Sequence, residues 1–105
     1  MTTATVYTLH PDVTHDHVGF IPSFLNENDP RPAREQFNDN YQHGGGWRPF
    51  NGFTLNDGME LHYPDDPPQK PLAMIKFRNE LIFIYESAWV LILQQDGTYE
   101  ISRMD

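Results

Sequence analysis

The residues best suited to chemistry stand near the start of the chain. His10, His15 and His17, with Asp12 and Asp16 between them, form a short polar run. Imidazole and carboxylate groups suit zinc and other borderline divalent metals. In an extended chain His15 and His17 point to the same side, as two ligands of one ion must. His62 or Asp57 would complete such a site, and zinc is the cofactor it would take. The spacing follows no recognised metal signature such as H-E-x-x-H, so a polar loop rich in histidine accounts for the same run.

A second candidate is His43-Gly44-Gly45-Gly46-Trp47. It matches the HGGG segment that supplies oxyanion-hole donors in lipases and esterases. The chain has no G-x-S-x-G nucleophile elbow, and its serines are Ser23, Ser87 and Ser102. The glycines follow an expected helix, so they would meet the negative end of its dipole and make a poor phosphate cradle. A helix stop and a close chain crossing explain them better.

The third is Trp47-Arg48-Pro49-Phe50-Asn51-Gly52-Phe53. Trp47, Arg48, Phe50 and Phe53 are the side-chain types that dominate protein interfaces. The same aromatics could instead close over an open sheet face. No pair of carboxylates is set apart by apolar neighbours, so no catalytic residue is nominated. An enzyme is the less favoured expectation.

The elements that would position these residues are clearest in the last third. Leu72–Arg103 reads as an antiparallel meander with strands at Leu72–Arg78, Leu81–Tyr85, Trp89–Leu93 and beyond Asp96-Gly97. Asp-Gly between apolar runs predicts a two-residue type I′ hairpin. That turn would pair Leu93 with Glu100 and Leu91 with Ser102. It would also set Ile92 against Ile101, and Tyr99 beside Ile82, Ile84, Val90 and Ile92. Pairing Tyr85 with Trp89 extends both surfaces. Asn79-Glu80 is a further expected turn. Lys76 and Arg78 suggest that the Leu72–Arg78 strand lies near an edge. Met59–Tyr63 alternates and predicts a fifth strand; Thr5–Leu9 is another candidate.

One helix is expected over about residues 32–42. Asp29 would cap it, the prolines suit its first turn, and the glycine run ends it. Ala33, Phe37 and Tyr41 form its single apolar stripe. Pro64–Pro71 reads as an extended linker. The fold class is therefore α+β: an antiparallel sheet of four to six strands with one main helix packed on a face. The 105 residues make one domain with an irregular first two-thirds.

Net charge is −8 and there is no cysteine. The first argues against direct nucleic-acid binding. The second excludes disulfides, zinc-thiolate sites and thiol catalysis. No signal peptide and no apolar stretch of membrane-spanning length is evident, so a cytoplasmic, non-membrane protein is expected. The acidity serves solubility, or it mimics nucleic acid through Asp65, Asp66, Glu60, Glu80, Glu86 and Glu100.

The runs GFIPSFL at 19–25, DPRPAREQF at 29–37, HGGGWRPFNGF at 43–53 and DGTYEISRMD at 96–105 resemble a family of small uncharacterised bacterial proteins. That family is loosely associated with plasmids, prophages and other mobile elements. The resemblance covers most of the chain from about residue 18. It implies a bacterial, cytoplasmic, accessory role and carries no activity, cofactor or catalytic residue. The leading expectation is a non-enzymatic interaction or regulatory module that binds a protein partner or itself. A metal-binding protein or small metal-dependent enzyme is the second, and an acidic nucleic-acid mimic the third. The motivation is geometric: the meander is apolar on both faces, and a stripe of three helical residues covers only part of one.

Overall fold

A computed structural model describes residues 4–13, 25–40, 47, 52–86 and 89–103. The elements in chain order are strand β1 (Thr5–Thr8), helix α1 (Ala33–Asn40) and strands β2 (Thr54–Asn56) and β3 (Glu60–His62). Strands β4 (Ala73–Phe77), β5 (Glu80–Ile84), β6 (Trp89–Leu93) and β7 (Tyr99–Arg103) follow. β1, β4, β5, β6 and β7 form one antiparallel sheet in that order, and β2 pairs with β3 in a second small sheet. The chain is α+β, as expected. Met59–Tyr63 does supply a strand, but its partner is β2 and it does not join the main sheet. β1 falls on the expected Thr5–Leu9 segment. β4 lies second in that order, next to the edge strand β1, so the strand is near an edge as expected and Lys76 is an exposed position beside it.

The β5–β6 register agrees with the expected Tyr85–Trp89 pairing. Leu81 faces Leu93, Ile82 faces Ile92, and the Tyr85 N–H donates to the Trp89 carbonyl at 2.8 Å. The β6–β7 register does not agree. Leu93 pairs with Tyr99, Ile92 with Glu100 and Leu91 with Ile101. The loop holds three residues instead of two. Gly97 N–H donates to Gln94 C=O at 3.0 Å, and Gly97 carries the left-handed φ of 89°. This is a type I turn closed by a glycine bulge, the favoured three-residue hairpin. The Asp96 carboxylate holds it by accepting from the Thr98 N–H (3.0 Å) and hydroxyl (2.6 Å). The extra residue turns β7 over, so Tyr99 and Ile101 join the face of Leu81, Phe83 and Leu91.

The other tight turn also sits one residue earlier than expected, at Arg78-Asn79. Arg78 takes the left-handed φ of 53° there. Its guanidinium offsets that strain. It donates to the carbonyls of Asp29 (2.7 Å) and Arg31 (2.8 Å) and lies 4.4 Å from the Phe77 ring centroid. One side chain thus ties the chain entering α1 to the sheet.

α1 covers the face carrying Ala73, Ile75, Phe77, Ile82, Ile84, Val90 and Ile92. Ala33 and Phe37 enter this core with Leu25, and Trp47 packs edge-on to Phe37 at 5.7 Å. Tyr41, the third residue of the expected stripe, lies outside the described residues. Asp29 does not cap α1. Its carboxylate accepts from the Arg31 backbone and side chain, while the first helical N–H, from Ala33, donates to Glu80 Oε1 at 3.3 Å. The cap comes from β5 because the short Pro30–Pro32 approach rests directly over that strand's start. Gln36, buried at 2 % exposure, knits the preceding loop down through bonds to Asn26 and Arg31. Arg34 pairs with Glu100 of β7.

Asp29's carboxyl is held at about 2, below its ordinary 3.8, chiefly by the Arg31 side chain and then by its backbone N–H. A carboxyl depressed by folding stabilises the native state above its unfolded value and loses that contribution as pH falls through the folded one. Urea unfolding followed from pH 3.8 down to about pH 2 is therefore expected to show a slope that Asp29→Asn flattens. An unchanged slope in the variant would remove this role.

Candidate functional site

The opposite face of the sheet is read most simply as rows running across the strands. The strand pairings place Tyr7, Met74, Phe83, Leu91 and Ile101 in one row. On one side of it lies a row that includes Tyr85, Trp89 and Arg103. On the other lies Thr5, Lys76, Leu81, Leu93 and Tyr99.

The small β2–β3 sheet closes over the Tyr85 end. Phe53 and Leu61 pack onto Phe83, Tyr85, Leu91 and Ile101. The Phe53 ring stands edge-on to Trp89 at 4.8 Å and tilts against Tyr63 at 4.9 Å. Such ring pairs add about 0.5–1.5 kcal/mol each beyond area burial. Gly52 makes the approach possible. Its φ is +83°, and a Cβ there would lie 2.6 Å from the Tyr63 ring. The Tyr85 hydroxyl donates to the Met59 carbonyl at 2.6 Å. Met59 itself sits at a left-handed φ of 62°. Burial pushes the Tyr85 phenol far above its ordinary value, so it remains a donor.

The Lys76 end is different. Leu81, Leu93, Tyr99 and Met74 are only partly buried, whereas Phe83 and Leu91 are buried. Tyr7 is 45 % exposed. A groove of about 420 Å³ runs here, lined by Tyr7, Met74, Lys76, Leu81, Gln95 and the Arg78-Asn79 turn. Among the described residues that line it none is acidic, and Lys76 is the cation it presents, since the Arg78 guanidinium is engaged by the Asp29 and Arg31 carbonyls. Strand alternation explains the sorting. Glu80 and Glu100 pair opposite Phe77 and Ile92, so they lie on the α1 face. Lys76 lies on the groove face. In a chain of net charge −8, this is a local reversal of sign.

Lys76 was legible in the sequence only as a wet position. The groove was not, because the hairpin covering half of this face is built from segments with weak strand signals.

The residues nominated from the sequence are not gathered here. Phe53 is buried at 5 % exposure within the hairpin-side core, and Trp47 packs on the α1 side. The two described members of the aromatic run therefore serve opposite faces. Arg48 and Phe50 lie outside the described residues, as do His15, His17 and His43–Gly46. His10 accepts the Asp12 N–H on Nδ1 at 3.1 Å. Among the described residues no three His, Asp or Glu side chains are placed to hold a metal. A second hollow of about 420 Å³ beside His10 sets Asp66 and Glu86 against Lys70 alone, so its walls lean acidic like the rest of the chain. The carboxylates considered for nucleic-acid mimicry divide between layers. Glu80 and Glu100 serve α1, and Glu60 belongs to β3.

Searches against models of protein families, curated proteins and solved structures find no match to this chain. No described helix is long and apolar enough to cross a membrane.

The hairpin's hold on the sheet sets where the groove begins. Removing the Tyr85 hydroxyl takes away the partner of the half-buried Met59 carbonyl, which costs about 0.5–1.5 kcal/mol. Tyr85→Phe is expected to lower stability by that amount in urea unfolding. It should also speed amide exchange in β2 and β3 more than at Ile75 or Ile92. Equal acceleration everywhere would show that the bond does not anchor the hairpin.

Proposed function

We propose that this chain is a non-enzymatic protein-interaction module of the bacterial cytoplasm, acting through the open part of the β2–β3 face. The observation that carries this reading is the groove at Tyr7, Met74, Lys76 and Leu81. It sets Met74, Leu81 and the Tyr7 ring beside a cation within an acidic molecule, and among the described residues none of the covering hairpin lines it. Half-exposed aromatic and aliphatic side chains beside a charge are the composition of protein contact surfaces. Among the described residues the groove's walls hold no serine, histidine or carboxylate, so binding suits them better than catalysis. An accessory role agrees with the resemblance of the 19–53 and 96–105 runs to small bacterial proteins.

A photo-crosslinking amino acid placed at position 7, and in a control chain at exposed Glu35 on α1, tests this in native-host cells. A discrete adduct is expected from position 7 and not from position 35. An adduct of twice the 12.2 kDa chain mass would make the occupant a second copy. Adducts from position 35 alone would contradict the reading.

A further inference from the structure

Beyond the groove, the edge of β1 has a consequence for how a partner binds. Among the described residues β1 is the last strand on its side of the sheet. The pairing of Tyr7 with Met74, and the Leu9 N–H bond to Leu72 at 2.9 Å, turn the backbone groups of Thr5, Tyr7 and Leu9 toward β4. By alternation, the N–H and C=O of Val6 and Thr8 point outward. Native sheets guard such edges with charges, prolines or bulges. The opposite edge, β7, carries Glu100 and Arg103. β1 reads Thr-Val-Tyr-Thr and carries none of these guards.

Side chains of a strand added to β1 would continue the rows of the groove. One row position would fall beside Tyr7. The next would lie beyond Thr5, two strand spacings or about 10 Å from β4, within reach of Lys76 if both side chains are long. An apolar residue suits the first and a carboxylate the second.

We infer that this protein takes up an extended segment of a partner protein by strand addition along β1. Apolar residues of the segment face Tyr7 and a carboxylate faces Lys76. The inference rests on the interaction-module reading and names its mode and ligand chemistry. A second copy fits less well. Two β1 edges pair without bringing an acid to Lys76, and two chains of net charge −8 repel each other.

The test uses two synthetic nine-residue peptides, acetylated and amidated, alternating valine and threonine with a central glutamate or a central lysine. Binding to the full chain is measured by fluorescence anisotropy at low salt. The glutamate peptide is expected to bind about tenfold more tightly than its twin, and Lys76→Glu to reverse the order. Thr8→Pro removes only an outward N–H, a change edge strands tolerate. It should leave Tm unchanged and weaken binding about tenfold, the loss expected for blocked ladder bonds. Binding that survives Thr8→Pro would overturn strand addition while leaving the groove as a contact surface. If neither peptide binds, the inference fails, and the position-7 crosslink still decides the module reading separately.

Discussion

Strands β5 and β6 carry large apolar side chains on both faces, and the rest of the molecule is arranged around covering them. Fully burying a Leu, Ile or Phe side chain is worth about 1.5–3 kcal/mol. Ile82 and Ile92 on one face, and Phe83 and Leu91 on the other, are all buried. An eight-residue helix would be marginal alone. Here it is held by Phe37 in the core, by Glu80 at its first N–H and by Arg34 against Glu100. The other face has no helix among the described residues. It is closed by a short hairpin whose anchors are Phe53, Leu61 and the Tyr85 hydroxyl.

The two covers are unequal in extent, and the sheet's polar residues follow that inequality. On the α1 side the strand carboxylates are engaged by the helix. On the hairpin side the uncovered end carries Lys76 and the half-exposed Tyr7. The same strand alternation that builds the core therefore also builds the groove. The groove lies where the described part of the hairpin ends, and nothing about its residues is unusual one at a time.

Much of the fold was legible because apolar alternation and turn residues agreed along residues 72–103. The Tyr85–Trp89 pairing followed from that agreement. The β6–β7 register did not, because Asp-Gly serves two hairpin types. The Asp96–Thr98 side-chain bonds that choose between them are tertiary detail no dipeptide rule contains. Arg78 in a left-handed turn was equally hidden, since the bonds that repay its strain reach residues 47 and 49 positions away. Glu80, expected in a turn, instead accepts from the Ala33 N–H at the start of α1. The candidate site was the least visible part. Its aromatic Tyr7 lies in a weak N-terminal strand, and its limits are set by a hairpin built from short, mixed segments.

Among the described residues the sheet is sealed on its α1 side and open along β1 and the Lys76 row. Residue-resolved amide hydrogen exchange on the free chain reads this most directly. Slow exchange is expected at Ile75, Ile82 and Ile92, and fast exchange at Val6 and Thr8 despite their place in a strand. Protection of Val6 and Thr8 equal to that of the central strands would mean the edge is already occupied, and would contradict an open β1.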